Sequence, residues 1–232
     1  MKNLNNSKKK IYSQNGEDGV IEEILNRLVD NLDKTCCEFG AWDGMYLSNV
    51  YNLIKNKDYK ALFIEADKNK FKKLNNNFDG KKIITLNKYV SFEGKNKLDQ
   101  ILLENNFNTN FDLLSIDIDG NDYHIFDSLQ NFKPKIIVIE FNPLIPNEVE
   151  FIQKKDIKIN QGSSALSFYN LAKRKNYTLV AATEINLFFV HNNYISKVTD
   201  NIDPKLDEIV DDKPYRNFIF TGFDGKIFTS KK

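Results

Sequence analysis

Oxygen-bearing side chains gather at the ends of two apolar runs. In Leu113-Leu-Ser115-Ile-Asp117-Ile-Asp119-Gly120, Ser115, Asp117 and Asp119 alternate with apolar residues, so in a strand they share one face. The run Ile136 to Phe141 continues into Asn142-Pro143, with Glu140 and Asn142 on either side of Phe141. Neighbouring strands lie less than about 5 Å apart, so Asp117, Glu140 and Asn142 can meet at one point. Hard oxygen ligands suit Mg²⁺, Mn²⁺ or Ca²⁺, which makes these three the candidate metal ligands and makes Asp117 and Glu140 candidate catalytic acids. Without a metal, Asp117 would position a cofactor while Glu140 and Asn142 bind substrate hydroxyls. His124 follows at the start of a helix and is a candidate general base for a substrate hydroxyl; its alternative is a surface or capping role.

A second group could hold a nucleoside. The segment Glu38-Phe-Gly40-Ala-Trp-Asp43-Gly44 closes an earlier apolar run, and Gly40 presents no side chain where a cofactor would approach the backbone. Glu65 closes the next run, about 25 residues later. An acid at that place can accept hydrogen bonds from both ribose hydroxyls.

These residues need a frame. Apolar runs over Thr35 to Phe39, Ala61 to Ile64, Ile83 to Val90, Leu113 to Ile118 and Ile136 to Phe141 alternate with helical patterns. The helices run through Asn49 and Ile54, Lys68 to Leu74, Leu98 to Asn105 and Tyr123 to Leu129, after a first amphipathic helix at Asp18 to Leu28. Such alternation predicts a parallel sheet with helices on both faces. Residues 144–160 carry few structure signals and are expected to form an active-site loop. Ser163 or Ser164 is the expected N-cap of a helix to Lys175. The last two runs, Thr178 to Ala182 and Leu187 to His191, are joined only by Thr183-Glu184-Ile185-Asn186. That is too short for a crossover helix, so these strands should pair antiparallel. An α/β sheet closed by an antiparallel hairpin is the Rossmann-like fold of class I methyltransferases, seven strands in the order 3-2-1-4-5-7-6.

The segments Tyr12-Ser-Gln14-Asn-Gly-Glu-Asp18, Glu38 to Gly44, Phe63-Ile-Glu65-Ala-Asp67 and Leu114-Ser-Ile-Asp117-Ile-Asp119-Gly120 resemble the FkbM-like methyltransferases, from about residue 12 to residue 191. The resemblance implies S-adenosylmethionine as cofactor and O-methylation, often of a sugar or natural product. It implies that Glu38, Gly40 and Asp43 border the methionine part, Glu65 and Ala66 the ribose, and Tyr89 and Val90 the adenine. Gln14 and Asp18 would close the pocket from the N-terminal side, and Asp117 would border the cofactor. The acids at the ends of the fourth and fifth strands are also similar to those of metal-dependent O-methyltransferases, where the metal holds a substrate oxygen and lowers its pKa. The first turn lacks the three-glycine pattern of many class I enzymes.

Composition limits the alternatives. The 232 residues are 41% hydrophobic and 28% charged, with net charge +1, which argues against a dedicated nucleic-acid partner. No apolar run approaches the roughly 20 residues of a membrane span, and no apolar signal segment follows Lys8-Lys9-Lys10. Cys36 and Cys37 lie in an apolar stretch and read as buried reduced thiols. A cytoplasmic protein of one domain, 1–232, is expected. Residues 10–32 would form an N-terminal helical cap, and 195–232 a C-terminal edge extension or lid. Tyr215, Arg216 and Phe218 in that tail would serve a lid or a homo-oligomer contact. Asn142-Pro143-Leu144 lacks the second proline and the aromatic of the motif used by amino-methylating nucleic-acid enzymes. The leading reading is O-methylation of a polar small molecule, such as a saccharide or cell-surface polymer precursor. An NAD-dependent oxidoreductase and a catalytically silent binding scaffold are the alternatives, disfavoured by the closing hairpin and by the cost of buried carboxylates without function.

Overall fold

The computed structural model describes residues 3–78, 82–212 and 218–230. Seven strands form one sheet: β1 (Thr35–Phe39), β2 (Lys60–Ile64), β3 (Ile83–Leu86), β4 (Leu113–Ile116), β5 (Ile136–Glu140), β6 (Tyr177–Ala182) and β7 (Asn186–His191). Their order is β3-β2-β1-β4-β5-β7-β6. All pairs are parallel except β5 with β7 and β6 with β7. This is the Rossmann-like sheet and closing hairpin that the sequence predicts.

Central strands are apolar along their whole length because both faces are covered. Alternation then sends neighbours to opposite layers: Cys37, Leu114 and Ile137 join one core, Cys36, Leu113 and Ile136 the other. The helices α1 (Glu17–Arg27), α2 (Tyr51–Lys57), α3 (Lys68–Asn77), α4 (Leu98–Glu104), α5 (Asp122–Ser128) and α6 (Ala165–Arg174) supply the layers. The side chain of Ser164 caps α6 by accepting from Ser167 N. Cys36 and Cys37 are free buried thiols.

Three of the boundaries that differ from expectation build the site. The helix after β1 begins at Tyr51, because residues 44–50 form a loop that turns back over the strand end. Strand β3 stops at Leu86 rather than Val90. Asn87 then donates to the carbonyls of Glu65 and Ala66 at 2.8 and 3.1 Å, which ties residues 87–90 to the end of β2. Strand β4 stops at Ile116, so Asp117 and Asp119 lie beyond the ladder.

The C-terminal stretch contains α7 (Ile195–Val198), α8 (Leu206–Ile209) and a separate antiparallel hairpin of β8 (Phe218–Thr221) and β9 (Ile227–Ser230). Asn147 ties this stretch to the 144–160 segment, donating to Asp207 Oδ1 and the Val210 carbonyl at 2.9 Å. Tyr215 and Arg216 lie outside the described residues, and Phe218 opens β8. No helix among the described residues is long and apolar enough to cross a membrane.

Candidate active site

A cavity of about 380 Å³ opens beyond the C-terminal ends of β1, β2, β4 and β5, the place where open α/β sheets bind ligands. Its volume is in the range of small-molecule sites, roughly 300–1,000 Å³. Gln14, Glu38, Gly40, Glu65, Ala66, Tyr89, Val90, Asp117 and Glu140 all line it. A larger groove between α1 and α2 lies elsewhere and contains none of these residues.

Glu65 is held before any ligand arrives. Its Oε2 accepts from Trp42 N at 2.8 Å and its Oε1 from Asp67 N at 2.7 Å. Both oxygens are therefore fixed by backbone donors, each with a remaining lone pair. Gly40 has φ +75, and a Cβ there would stand 1.7 Å from the Asp117 carbonyl oxygen. The first obstacle to a side chain at this position is thus the end of β4. Gly40 lets the exits of β1 and β4 close onto one another, and its backbone forms the cavity floor.

Glu38 is buried at the end of β1. It accepts from Ser48 Oγ at 2.6 Å and Asn49 N at 2.9 Å, while Asn49 Nδ2 reaches Ser115 Oγ at 3.1 Å. Burial pushes its carboxyl up to about 7, with Asp117 adding repulsion against the hydrogen bonds that hold it down. Ser48 and Asn49 were not legible as site residues. Their signal is two polar residues in a loop just before an apolar helix, which also describes an ordinary cap.

The acidic centre is Asp117, Asp119 and Glu140, whose nearest oxygens all lie within 4.8 Å of one another. Burial raises Asp117 to about 7, and the charges of Asp122 and Asp119 add to this. Burial also raises Glu140, followed by the charge of Asp117, with which it shares a hydrogen bond. Two close carboxyls cannot both ionise cheaply, so the pair retains a proton near neutrality. Asp119 takes a left-handed φ of 60, and this turn carries it back toward Asp117. Asp122 stabilises the turn, accepting from Ile118 N and Gly120 N at 2.9 and 2.8 Å.

Other predicted residues sit elsewhere. Asn142 points into its own turn: its Oδ1 accepts from Leu144 N and its Nδ2 donates to the Gln161 carbonyl. Asp119, rather than Asn142, is the third acid beside Asp117 and Glu140. His124 is off the cavity wall, with Nε2 donating to the Gln153 carbonyl at 2.8 Å and its ring edge-on to Phe92. Asp18 is buried under the N-terminal segment, where Oδ2 accepts from Ile11, Tyr12 and Ser13 N and from Ser13 Oγ. It fixes the segment that carries Gln14 to the cavity. Asp43 caps the loop after β1 by accepting from Met45 N and Tyr46 N, and it does not line the cavity. The 144–160 segment contributes no lining residue either; it packs on His124 through Gln153.

Residues 94–194 match the methyltransferase FkbM domain family. An FkbM-type methyltransferase domain is present over this part of the chain. No curated protein matches the sequence. Among solved structures, a protein of Staphylococcus aureus assigned as a candidate caffeoyl-CoA O-methyltransferase is similar, at 15% identity and a TM-score of 0.50. The alignment covers 80% of this chain and 87% of that one. The CurJ carbon methyltransferase is similar at 10% identity and a TM-score of 0.50, over 77% of this chain and 56% of that one. At these identities the likeness concerns the fold, which is that of S-adenosylmethionine-dependent methyltransferases. The two relatives differ in the atom named as methyl acceptor, so the acceptor of the methyltransferase domain described here has to be argued from its own residues.

Proposed function

We propose that the chain is an S-adenosylmethionine-dependent O-methyltransferase acting on a polar small molecule, of the saccharide or cell-surface polymer precursor class. The observation that carries this reading is a single cavity that joins the prefixed Glu65 carboxylate to the Asp117–Asp119–Glu140 centre. When bound, S-adenosylmethionine supplies a methyl group already activated on a sulfonium, so the protein's main task is alignment.

The residues fit that cofactor. Glu65 offers two oriented oxygens to vicinal ribose hydroxyls, beside Ala66. Tyr89 and Val90 form the wall for the adenine. Glu38 and Gln14 border the methionine part, and the acids at the β1, β4 and β5 ends suit its cationic ammonium and sulfonium. Lys70 and Lys88 lie toward the β2 and β3 end of the same cavity, so the charge is graded along it.

At the methyl end, Asp117 and Glu140 share a proton, and the ionised member of the pair can take a proton from an acceptor hydroxyl. Nε2 of His124 is committed to a carbonyl, which favours the carboxyl pair as the base. The same three acids offer hard oxygens to Mg²⁺ or Mn²⁺, which would take the place of the shared proton and polarise the acceptor oxygen. Loss of activity in EDTA, restored by Mn²⁺ or Mg²⁺, supports the metal-assisted form. Full activity in metal-free buffer, checked by elemental analysis, eliminates it and leaves the carboxyl pair as base. Acceptor screening with a radiolabelled methyl donor tests the substrate class; transfer only to DNA, RNA or protein contradicts it.

The rest of the reading concerns organisation. The chain acts as one domain over 1–232, with 10–32 as its cap and 195–232 as an edge extension available for a homo-oligomer contact. The cytoplasm is the proposed compartment, one in which the buried thiols Cys36 and Cys37 stay reduced.

A further inference from the structure

The cavity wall beside Glu65 carries an aromatic clasp that the roles above do not use. Trp42 lies on the loop after β1 with φ 50, a left-handed conformation that non-glycine residues adopt at a cost. Three backbone hydrogen bonds hold it there. Gly40 N and Ala41 N donate to the Ile64 carbonyl at 3.1 and 3.3 Å, and Trp42 N donates to Glu65 Oε2 at 2.8 Å. The loop is thus tied to the end of β2 through the very carboxylate that faces the ribose position.

The indole is 42% exposed and lines the cavity. Two side chains grip it. Tyr46 meets it edge-on, with ring centroids 5.5 Å apart, and Lys70 of α3 places its ammonium 4.6 Å from the ring centroid. The same ammonium also acts on the Asp67 carboxylate at the start of α3, so its contact with the indole is anchored at the end of β2. Tyr46 is itself 58% exposed on the same wall. A large aromatic held open to solvent in a strained conformation, gripped from two sides, has a surface ready for a planar or apolar ligand face.

We propose that Trp42 is a cofactor-contacting residue that packs against the adenosine moiety held by Glu65, and that Lys70 and Tyr46 are positioning residues that fix the indole. The inference rests on the S-adenosylmethionine reading of this cavity. It also gives a direct signal, because Trp42 is the sole tryptophan of the chain and shares Glu65 with the ligand.

The test uses the full chain and S-adenosylhomocysteine as probe, followed in parallel by intrinsic fluorescence and by calorimetry. Binding is expected to change Trp42 emission with the same midpoint that calorimetry gives. Trp42→Ala is expected to weaken binding about tenfold, the loss of one well-placed aromatic contact, whereas Trp42→Phe retains most of the affinity. Lys70→Met, which keeps the chain length and removes the charge, is expected to weaken binding about two- to fivefold. Circular dichroism of each variant establishes that the fold is kept; should Trp42→Ala fail to fold, the wild-type fluorescence and the Lys70→Met titration decide the matter. Calorimetric binding with unchanged emission and unchanged affinity in the variants overturns the role of Trp42 while leaving the cofactor reading in place. No binding to the wild-type chain by either method overturns both.

Discussion

Replacing Glu140 by glutamine separates the proton shared with Asp117 from every other titration in the chain. Glutamine has the shape of a protonated glutamic acid and can still donate to Asp117. Below about pH 4.5, the ordinary glutamate value, Glu140 is protonated in both the folded and the unfolded chain, so Glu140→Gln is expected to be nearly neutral there. As the pH rises, burial and the neighbouring Asp117 charge oppose ionisation of Glu140. Its folded pKa lies above its unfolded one, so the folded state binds the extra proton, and its stability contribution is lost as pH rises toward the folded pKa. Each unit of pKa elevation corresponds to about 1.4 kcal/mol. Partial solvent access and the proton exchange with Asp117 reduce the usable part, leaving roughly 1–3 kcal/mol. Urea unfolding at pH 5.5 and pH 9.5 gives the comparison. Relative to its effect at pH 5.5, Glu140→Gln is expected to gain that amount over the wild type at pH 9.5, and Mn²⁺ is expected to close the gap if the metal-assisted form holds. A variant that is equally destabilised at both pH values would refute the shared proton.

Three further perturbations follow from the geometry. Gly40→Ala forces a left-handed alanine whose Cβ meets the Asp117 carbonyl, and a loss of at least about 3 kcal/mol is expected in urea unfolding; a loss under 1 kcal/mol would contradict the close approach of β1 and β4. His124→Ala removes a ring held by the Gln153 carbonyl outside the cavity, so kcat is expected to fall less than about tenfold, against the 100-fold or more of a lost general base. Asp18→Asn removes the charge from the oxygen that gathers donors from Ile11, Tyr12 and Ser13 and buries an amide NH2 where Oδ1 has no partner; about 1–3 kcal/mol of stability should be lost, measured by thermal unfolding.

The sheet was legible because its signals are local. Apolar runs separated by helical patterns require parallel pairing, and the four residues between β6 and β7 permit only a hairpin. The place of Glu65 on the cavity wall was legible for a similar reason, since a strand end is a fixed place in such a sheet. The misplacements arise where chain direction changes. Glu140 and Asn142 would share a face if β5 continued, but the strand ends at Glu140 and the period-two rule lapses there. Asn142 then holds its own turn, and the left-handed turn at Asp119 supplies the third acid instead. The motifs that contain Asp18 and Asp43 imply a place at the cofactor for both. Each holds nearby backbone donors instead, Asp18 those of Ile11, Tyr12 and Ser13 and Asp43 those of Met45 and Tyr46, a use that side-chain type alone does not reveal. The residues that fix Glu38, Ser48 and Asn49, come from a loop whose return over the strand has no periodic signature.

The central claim is most directly tested by isothermal titration of the full chain with S-adenosylhomocysteine and, separately, with NAD⁺ and NADH. Saturable binding of S-adenosylhomocysteine is expected, with both nicotinamide forms silent. Glu65→Ala is expected to weaken the binding at least about tenfold, because it leaves two ribose hydroxyls without their charged acceptor. Tight NAD binding, or S-adenosylhomocysteine affinity unchanged in Glu65→Ala, would contradict the account.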